Sequence, residues 1–383
     1  MRARTGSFIL IIACVTSTVF AVATTAPASG TIVRSDASSY AWSREQGGYY
    51  EIKGIRTIVR EYNERNETVR STDYVKNDKV YRVMKFADAG RAKQVFDGAG
   101  KLLYSTAYEG PEKRVETVFG ANGDKLWYYG YRYNERGVLT ERRRFAADKS
   151  LLFIQKYHYD KSGLPVGIVL SADDGSVLHV AEYSYDAYND NGGWSSRRET
   201  QSYADKPGEP KERIERSTFY SKDVPRSSMA TADHGSDFSP PPVSVDALLA
   251  LTARYGKEDS PGGKVLAAAH ALIAANTIIR GSCWDWINLA YKNAGFTEKN
   301  RKSVFSGKES GPYANPYDLK PGDWIMFKNL TYGEIGHSGI FLFWIDAERR
   351  SAMVIGYVGE GRARAGDFRE HDITYLFGIT RGK

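Results

Sequence analysis

The sequence predicts two domains of different class: an N-terminal all-β repeat, a meander of hairpins, and a C-terminal α+β domain. Three observations carry this. From about residue 48 to 220, short aromatic or β-branched runs alternate with polar turns that hold Asp or Asn and then Gly. Residues 221–243, "SKDVPRSSMATADHGSDFSPPPV", are rich in Ser, Pro, Gly and Asp and lack apolar periodicity, the mark of a linker. Beyond them, "SVDALLALTARYG" and "KVLAAAHALIAANTII" set apolar residues at helical spacing. A chain of 383 residues, 42% hydrophobic and 26% charged, can supply two packed cores.

The chain starts with a leader-like segment. "MRART" brings two arginines, "FILIIACVTSTVFAVA" is apolar over the length of a signal-peptide core, and "AVATTAPAS" offers cleavage after Ala23 or Ala28. Residues 1–28 are therefore expected to direct export to the periplasm or the cell exterior, with no stable transmembrane span. "LIIAC" also resembles a lipobox, which makes lipid anchoring at Cys14 the alternative. The residues after Cys14 stay apolar, which argues against it.

Residues 29–220 form the expected β domain. Turn glycines at Gly137, Gly163 and Gly175, with Lys149 at the equivalent place in "FAADKSLLF", recur at hairpin spacing. Most of the 26 tyrosines fit half-buried strand faces. The units resemble the YD and MORN-like repeats of bacterial surface proteins, without strict identity. The plain reading is a spacer or platform. The sharper one makes the aromatics and arginines of "RYNERGVLTERRR" a glycan- or partner-binding face.

Residues 244–383 carry the candidate chemistry. In "RGSCWDWINLAYKNAGF", Ser282 and Asp285 fit a capping pair, Cys283 is the first helical residue and Gly295 ends the helix. At that position the unsatisfied backbone N–H groups and the helix dipole favour thiolate. The alternative is a small buried hydrophobe. Once a leader is removed Cys283 stands alone, which points to a reactive thiol or an intermolecular bond. A base is sought among His270, His337 and His371. His337 opens a strand in "GHSGIFL", with Gly336 and Gly339 leaving room for an approaching chain. His270 sits in an apolar helical stretch, and His371 lies among charges and is expected to be exposed.

The order of helix-opening cysteine, "LKPGDWIMF" and "GHSGIFL" resembles the NlpC-type, papain-like cysteine peptidases of bacterial cell walls, within the group that includes CHAP amidases. The resemblance covers about residues 245–383. It implies a papain-like α+β domain in which Cys283 is the nucleophile and His337 the base, while Asp323 shapes its turn. The third, ring-orienting residue of that family has no clear counterpart here. Tyr357 and Glu360 are the candidates. The function so implied is hydrolysis of peptide or amide bonds, in peptidoglycan stem peptides, through an acyl-enzyme. The rival readings are a catalytically inactive envelope binding protein whose repeats contact glycan or protein, and a secreted effector or toxin hydrolase.

The net charge of +7 adds an anionic cell-wall polymer as an expected partner. No helix-turn-helix, zinc-finger or RNP-like signature supports nucleic acid. No His and Cys cluster has metal-ligand spacing, and neither GxGxxG nor a P-loop is present, so no metal and no cofactor are expected.

Overall fold

The computed structural model describes residues 32–383 apart from 44–47, 63–67, 76–78, 88–90, 110–113, 162, 189–193, 203–210, 221–237, 330–334 and 360–364. The leader and Cys14 lie outside the described residues. The first fourteen strands are β1 (Ile32–Ser43), β2 (Gly48–Tyr62), β3 (Thr68–Val75), β4 (Lys79–Ala87), β5 (Ala92–Asp97), β6 (Leu102–Glu109) and β7 (Val115–Gly120), then β8 (Lys125–Tyr133), β9 (Leu139–Ala146), β10 (Leu151–Tyr159), β11 (Pro165–Ala172), β12 (Val177–Tyr188), β13 (Trp194–Ser202) and β14 (Lys211–Tyr220). Each pairs antiparallel with the next, and β1 also pairs with β14, so the sheet closes into a barrel.

Local chemistry makes the hairpins. In the turn after β5, Asp97 N–H bonds to Lys101 O and Gly100 N–H to Asp97 O, and the pattern recurs after β7, β8, β9, β10 and β11. Each is a type I turn closed by one residue with positive φ. That residue is Gly at five of these turns and Lys149 (φ 70°) at the turn after β9. Side chains reinforce the turns: Asn134 Oδ1 accepts from Arg136 N–H at 3.0 Å and from Val138 N–H at 2.9 Å.

The C-terminal part holds α1 (Val245–Gly256), α2 (Pro261–Ala274) and α3 (Cys283–Asn293). These are followed by β15 (Arg301–Ser306), β16 (Trp324–Asn329), β17 (Ile335–Asp346), β18 (Ser351–Gly356), β19 (Asp367–Asp372) and β20 (Leu376–Gly382). The strands form a second antiparallel sheet in the order β15-β20-β16-β17-β18-β19. Ser244 and Ser260 cap α1 and α2 through N–H bonds from Ala247 and Gly263, both 3.0 Å.

The two parts are not separate bodies. The turn between β17 and β18 is built by Asp346, whose Oδ1 accepts from the N–H groups of Glu348 (2.9 Å) and Arg349 (3.0 Å). At its tip Glu348 pairs with Lys93 on β5, and the next residue, Arg349, pairs with Glu199 on β13. In the ring of fourteen, those strands stand eight steps apart one way and six the other. A tip that touches both walls lies in the lumen. Asp346 also faces Arg142 of β9 at 3.9 Å, and Glu370 of β19 meets His179 of β12 at 2.6 Å. Phe153, Leu170 and Leu178 of the barrel share one apolar cluster with Leu248, Val265, Trp286 and Phe343. Tyr317 stacks on Trp127 with ring centroids 5.2 Å apart.

A barrel of this size explains the plug. Eight strands leave a lumen that their own side chains fill, whereas wider barrels hold water or a plugging segment. Here the β17–β18 tip stands in it, reaching β5 on one side and β13 on the other. Between Tyr129, Arg142, Phe153, Gln155 and Trp344 the remaining space is about 10 Å³, about one water molecule.

These features correct the expected fold class. The hairpins close on themselves instead of forming an open YD- or MORN-like meander. The last 140 or so residues are not an independent papain-like domain: most of the described residues are β sheet, with three α-helices among them. The linker expected at 221–243 lies outside the described residues as far as 237. Its end, Phe238, packs on His158 of the barrel at 4.6 Å.

Candidate functional site

The segment around Cys283 is assembled by short-range forces. Asp285 accepts from the backbone N–H (2.8 Å) and the hydroxyl (2.9 Å) of Ser282, and these bonds hold its carboxyl below the usual range. Gly281, at φ 123°, is required here, because a Cβ on it would stand 2.5 Å from the Asp285 carboxylate. The helix ends with Phe296 N–H bonded to Tyr291 O and Gly295 N–H to Lys292 O, with Gly295 at φ 85°. Trp286, Ile287, Ala290 and Tyr291 are buried on the face toward the second sheet. Cys283 itself is partly buried and free.

His337 lies on β17 opposite Phe327 of β16. Its ring meets Phe327 edge-on at 5.5 Å and lies 5.5 Å from that of His371. Burial pushes its pKa down to about 4, and the charge of Arg369 adds to the effect. The imidazole is neutral at pH 7. Among the described residues no hydrogen bond joins it to Cys283.

The remaining candidates are placed differently from expectation. Tyr357 does not stand behind the His337 ring. It is buried, stacks on Trp286 at 6.1 Å, donates its hydroxyl proton to Ile279 O (2.7 Å) and accepts from Ile279 N–H (3.2 Å). Its role is to pin the 277–281 segment to the sheet. Glu360 lies outside the described residues. His371, expected to be exposed, is buried on β19. His270 is partly buried on α2. Of the glycines beside His337, Gly339 is closed in, since a Cβ there would meet Val354 at 2.2 Å, whereas Gly336 is exposed and a Cβ on it would meet the end of the Glu309 side chain at 2.7 Å. Asp323 takes both forks of Arg381 at 2.7 Å and the Lys320 N–H at 2.8 Å, and so fixes the turn before β16.

The C-terminal part also carries most of the exposed large hydrophobic side chains. Ile278, Trp284, Ile335 and Val358 are four of the five large hydrophobic side chains exposed among the described residues. Trp284 follows Cys283 and Ile335 precedes His337 by two residues. Val358 follows Tyr357, and Ile278 adjoins the Ile279 that Tyr357 holds. Val69 of β3 is the fifth. No described helix is long and apolar enough to cross a membrane. Among the described residues no group of His, Cys, Asp and Glu could hold a metal ion.

The arginines of "RYNERGVLTERRR" are divided by the strand alternation. Arg142 is buried and bonds to Gln155 at 2.9 Å, and Arg144 lies 4.5 Å from the Trp127 ring. Arg132 and Arg143 flank Glu141 at 3.4 and 2.7 Å. The segment does not present one continuous binding face.

No protein-family model and no curated protein matches the chain. Three solved structures are similar at a distance. A porin-like protein from Bacteroides uniformis shares 10% identity at a TM-score of 0.33, over 49% of this chain and 96% of that one. An outer-membrane lipoprotein-sorting protein domain from Vibrio parahaemolyticus shares 11% at 0.27, over 51% and 87%. A LolA superfamily protein from Nitrosomonas europaea shares 10% at 0.25, over 52% and 89%.

The fold corrects the sequence resemblance. A closed fourteen-stranded barrel with a six-stranded second sheet packed on it is not the papain-like α+β domain that the resemblance implied, and among the described residues no hydrogen bond joins Cys283 to His337. The reading as a cysteine peptidase or amidase acting on peptidoglycan is withdrawn.

Proposed function

We propose that this chain is an exported binding protein of the cell envelope, whose C-terminal face takes an apolar partner of the acyl-chain type. The observation that carries this is the apolar rim of Ile278, Trp284, Ile335 and Val358. Single exposed hydrophobics need no explanation, but here four of the five among the described residues fall in the C-terminal part, close in sequence to Cys283, His337 and Tyr357. The barrel acts as a scaffold in this reading, because its lumen is occupied by the β17–β18 tip and retains space for about one water at the junction.

The test is quenching of tryptophan fluorescence by a brominated fatty acid. Saturable quenching is expected in the wild type. Trp284→Ala should weaken it about tenfold, since covering a half-exposed indole is worth about 1–2 kcal/mol. Absence of quenching in the wild type, or equal affinity in the variant, would remove the reading.

A further inference from the structure

The β17–β18 tip brings an amine and two carboxyl groups together in surroundings mostly shielded from water. Lys93 of β5 is fully buried, and its ammonium pairs with the carboxylate of Glu348, a side chain 15% exposed. The third group is Glu116 of β7, buried, which accepts from the Tyr131 hydroxyl at 2.5 Å. Burial holds the Glu116 carboxyl above the usual carboxylate range. The charge of Lys93 opposes this and that of Glu348 adds to it, so Glu116 stands close to both. Aromatic rings line the rest: Lys93 Nζ lies 5.5 Å from the Tyr104 ring, and Tyr317 covers Tyr104 at 3.9 Å.

Taking an ammonium and a carboxylate out of water is costly, and their attraction repays it only in part. An amide in the same place carries no net charge and costs far less to bury. The surrounding charges stay balanced if the pair is lost. Arg82, Lys93 and Arg350 are matched by Asp73, Glu116 and Glu348, and one ion of each sign is removed. Holding amine and carboxyl in contact also makes their reaction unimolecular. An ordinary buried ion pair lacks a neighbouring acid to move the proton, and here Glu116 is that acid.

We propose that Lys93 and Glu348 condense into an intramolecular isopeptide bond, with Glu116 as proton carrier, and that this bond locks the tip into the barrel. Glu116 hands its proton to a Glu348 oxygen and takes one from Lys93. The bond from Lys93 Nζ to Glu348 Cδ forms, and one Cδ–O bond breaks. Of the three ammonium protons, one stays on the amide nitrogen and two leave with that oxygen as water. Both charges vanish together, Glu116 ends as it began, and no oxidant or cofactor enters. Space for about one water lies beside Ala347, next to Glu348. Cys283, the one cysteine among the described residues, is free, so this bond is a covalent staple that no disulfide there supplies.

The experiment is a tryptic peptide map of the folded full chain by mass spectrometry, with denaturing electrophoresis beside it. In the wild type, residues 92–101 are expected joined to residues 329–349, uncut after Lys93 and lighter by one water than the two peptides together. Lys93→Arg keeps the charge without the nucleophilic amine, and should give the separate peptides only. Its denatured chain should run behind the wild type, in which a bond across 255 positions keeps a loop closed. Glu116→Gln should cut the linked fraction about tenfold or more, and Glu116→Asp, which keeps an acid, should restore part of it. Full linkage in Glu116→Gln would overturn the assignment of the proton carrier. The wild-type map decides the bond itself even where a variant does not fold. Residues 94–101 and 329–349 recovered apart, with none linked, would show that Lys93 and Glu348 remain an ion pair, and would overturn the proposal.

Discussion

Cys283 and His337 show which residue-scale properties a sequence carries. The Ser282–Asp285 pair and Gly295 were legible because capping is decided within a turn of helix. The burial of His371 and the engagement of Tyr357 with Ile279 were not, because both depend on strands far off in sequence. His337 also has a measurable consequence. Its pKa is about 4 in the folded chain and about 6.5 in an unfolded one. Between those values the unfolded chain takes up a proton that the folded chain refuses, so stability falls as pH falls. The contribution is complete above about pH 6.5 and is lost progressively toward pH 4, amounting to at most about 3 kcal/mol. His337→Asn should therefore flatten the urea-midpoint profile between pH 7 and pH 4. Parallel profiles for wild type and variant would show that burial does not hold this ring neutral.

At the scale of elements, the turn after β9 tests the hairpin logic. Its spacing placed Lys149 where the other turns have glycine, and the structure gives it φ 70° against 73° to 88° for its glycine counterparts. A side chain in that region costs about 1 kcal/mol relative to glycine. Against this, glycine gives the unfolded chain more freedom. Lys149→Gly is expected to stabilise the protein by about 0.5 kcal/mol, read as a higher urea midpoint with an unchanged slope. A clear loss of stability would mean that the lysine side chain makes contacts worth more than the backbone strain. The turns were readable because each is closed by its own Asp, Asn or Gly. The closure of β1 onto β14 was not, since it joins strands about 180 residues apart and leaves no local mark.

For the whole molecule, the linker composition suggested that residues 245–383 would fold alone, and the structure argues the opposite. Detaching the barrel would uncover Tyr317, which stacks on Trp127 and Tyr104, and Tyr375, which packs on Val75. It would also uncover Phe343, 4.9 Å from Phe153, and Leu248 in the shared cluster. At about 1.5–3 kcal/mol for each large apolar side chain, the loss is roughly 6–12 kcal/mol, comparable with the whole stability of an ordinary domain. The ion pairs of the tip do not offset this, because the freed charges regain water and lose little. Scanning calorimetry of the full chain is expected to show one transition. The 245–383 fragment should lack a cooperative melt and near-ultraviolet dichroism, with backbone amides that exchange freely. A fragment that melts sharply, with the aromatic signal of the intact protein, would show that the second sheet and its helices form a complete core. The barrel would then be a sleeve around it, not part of the same folding unit.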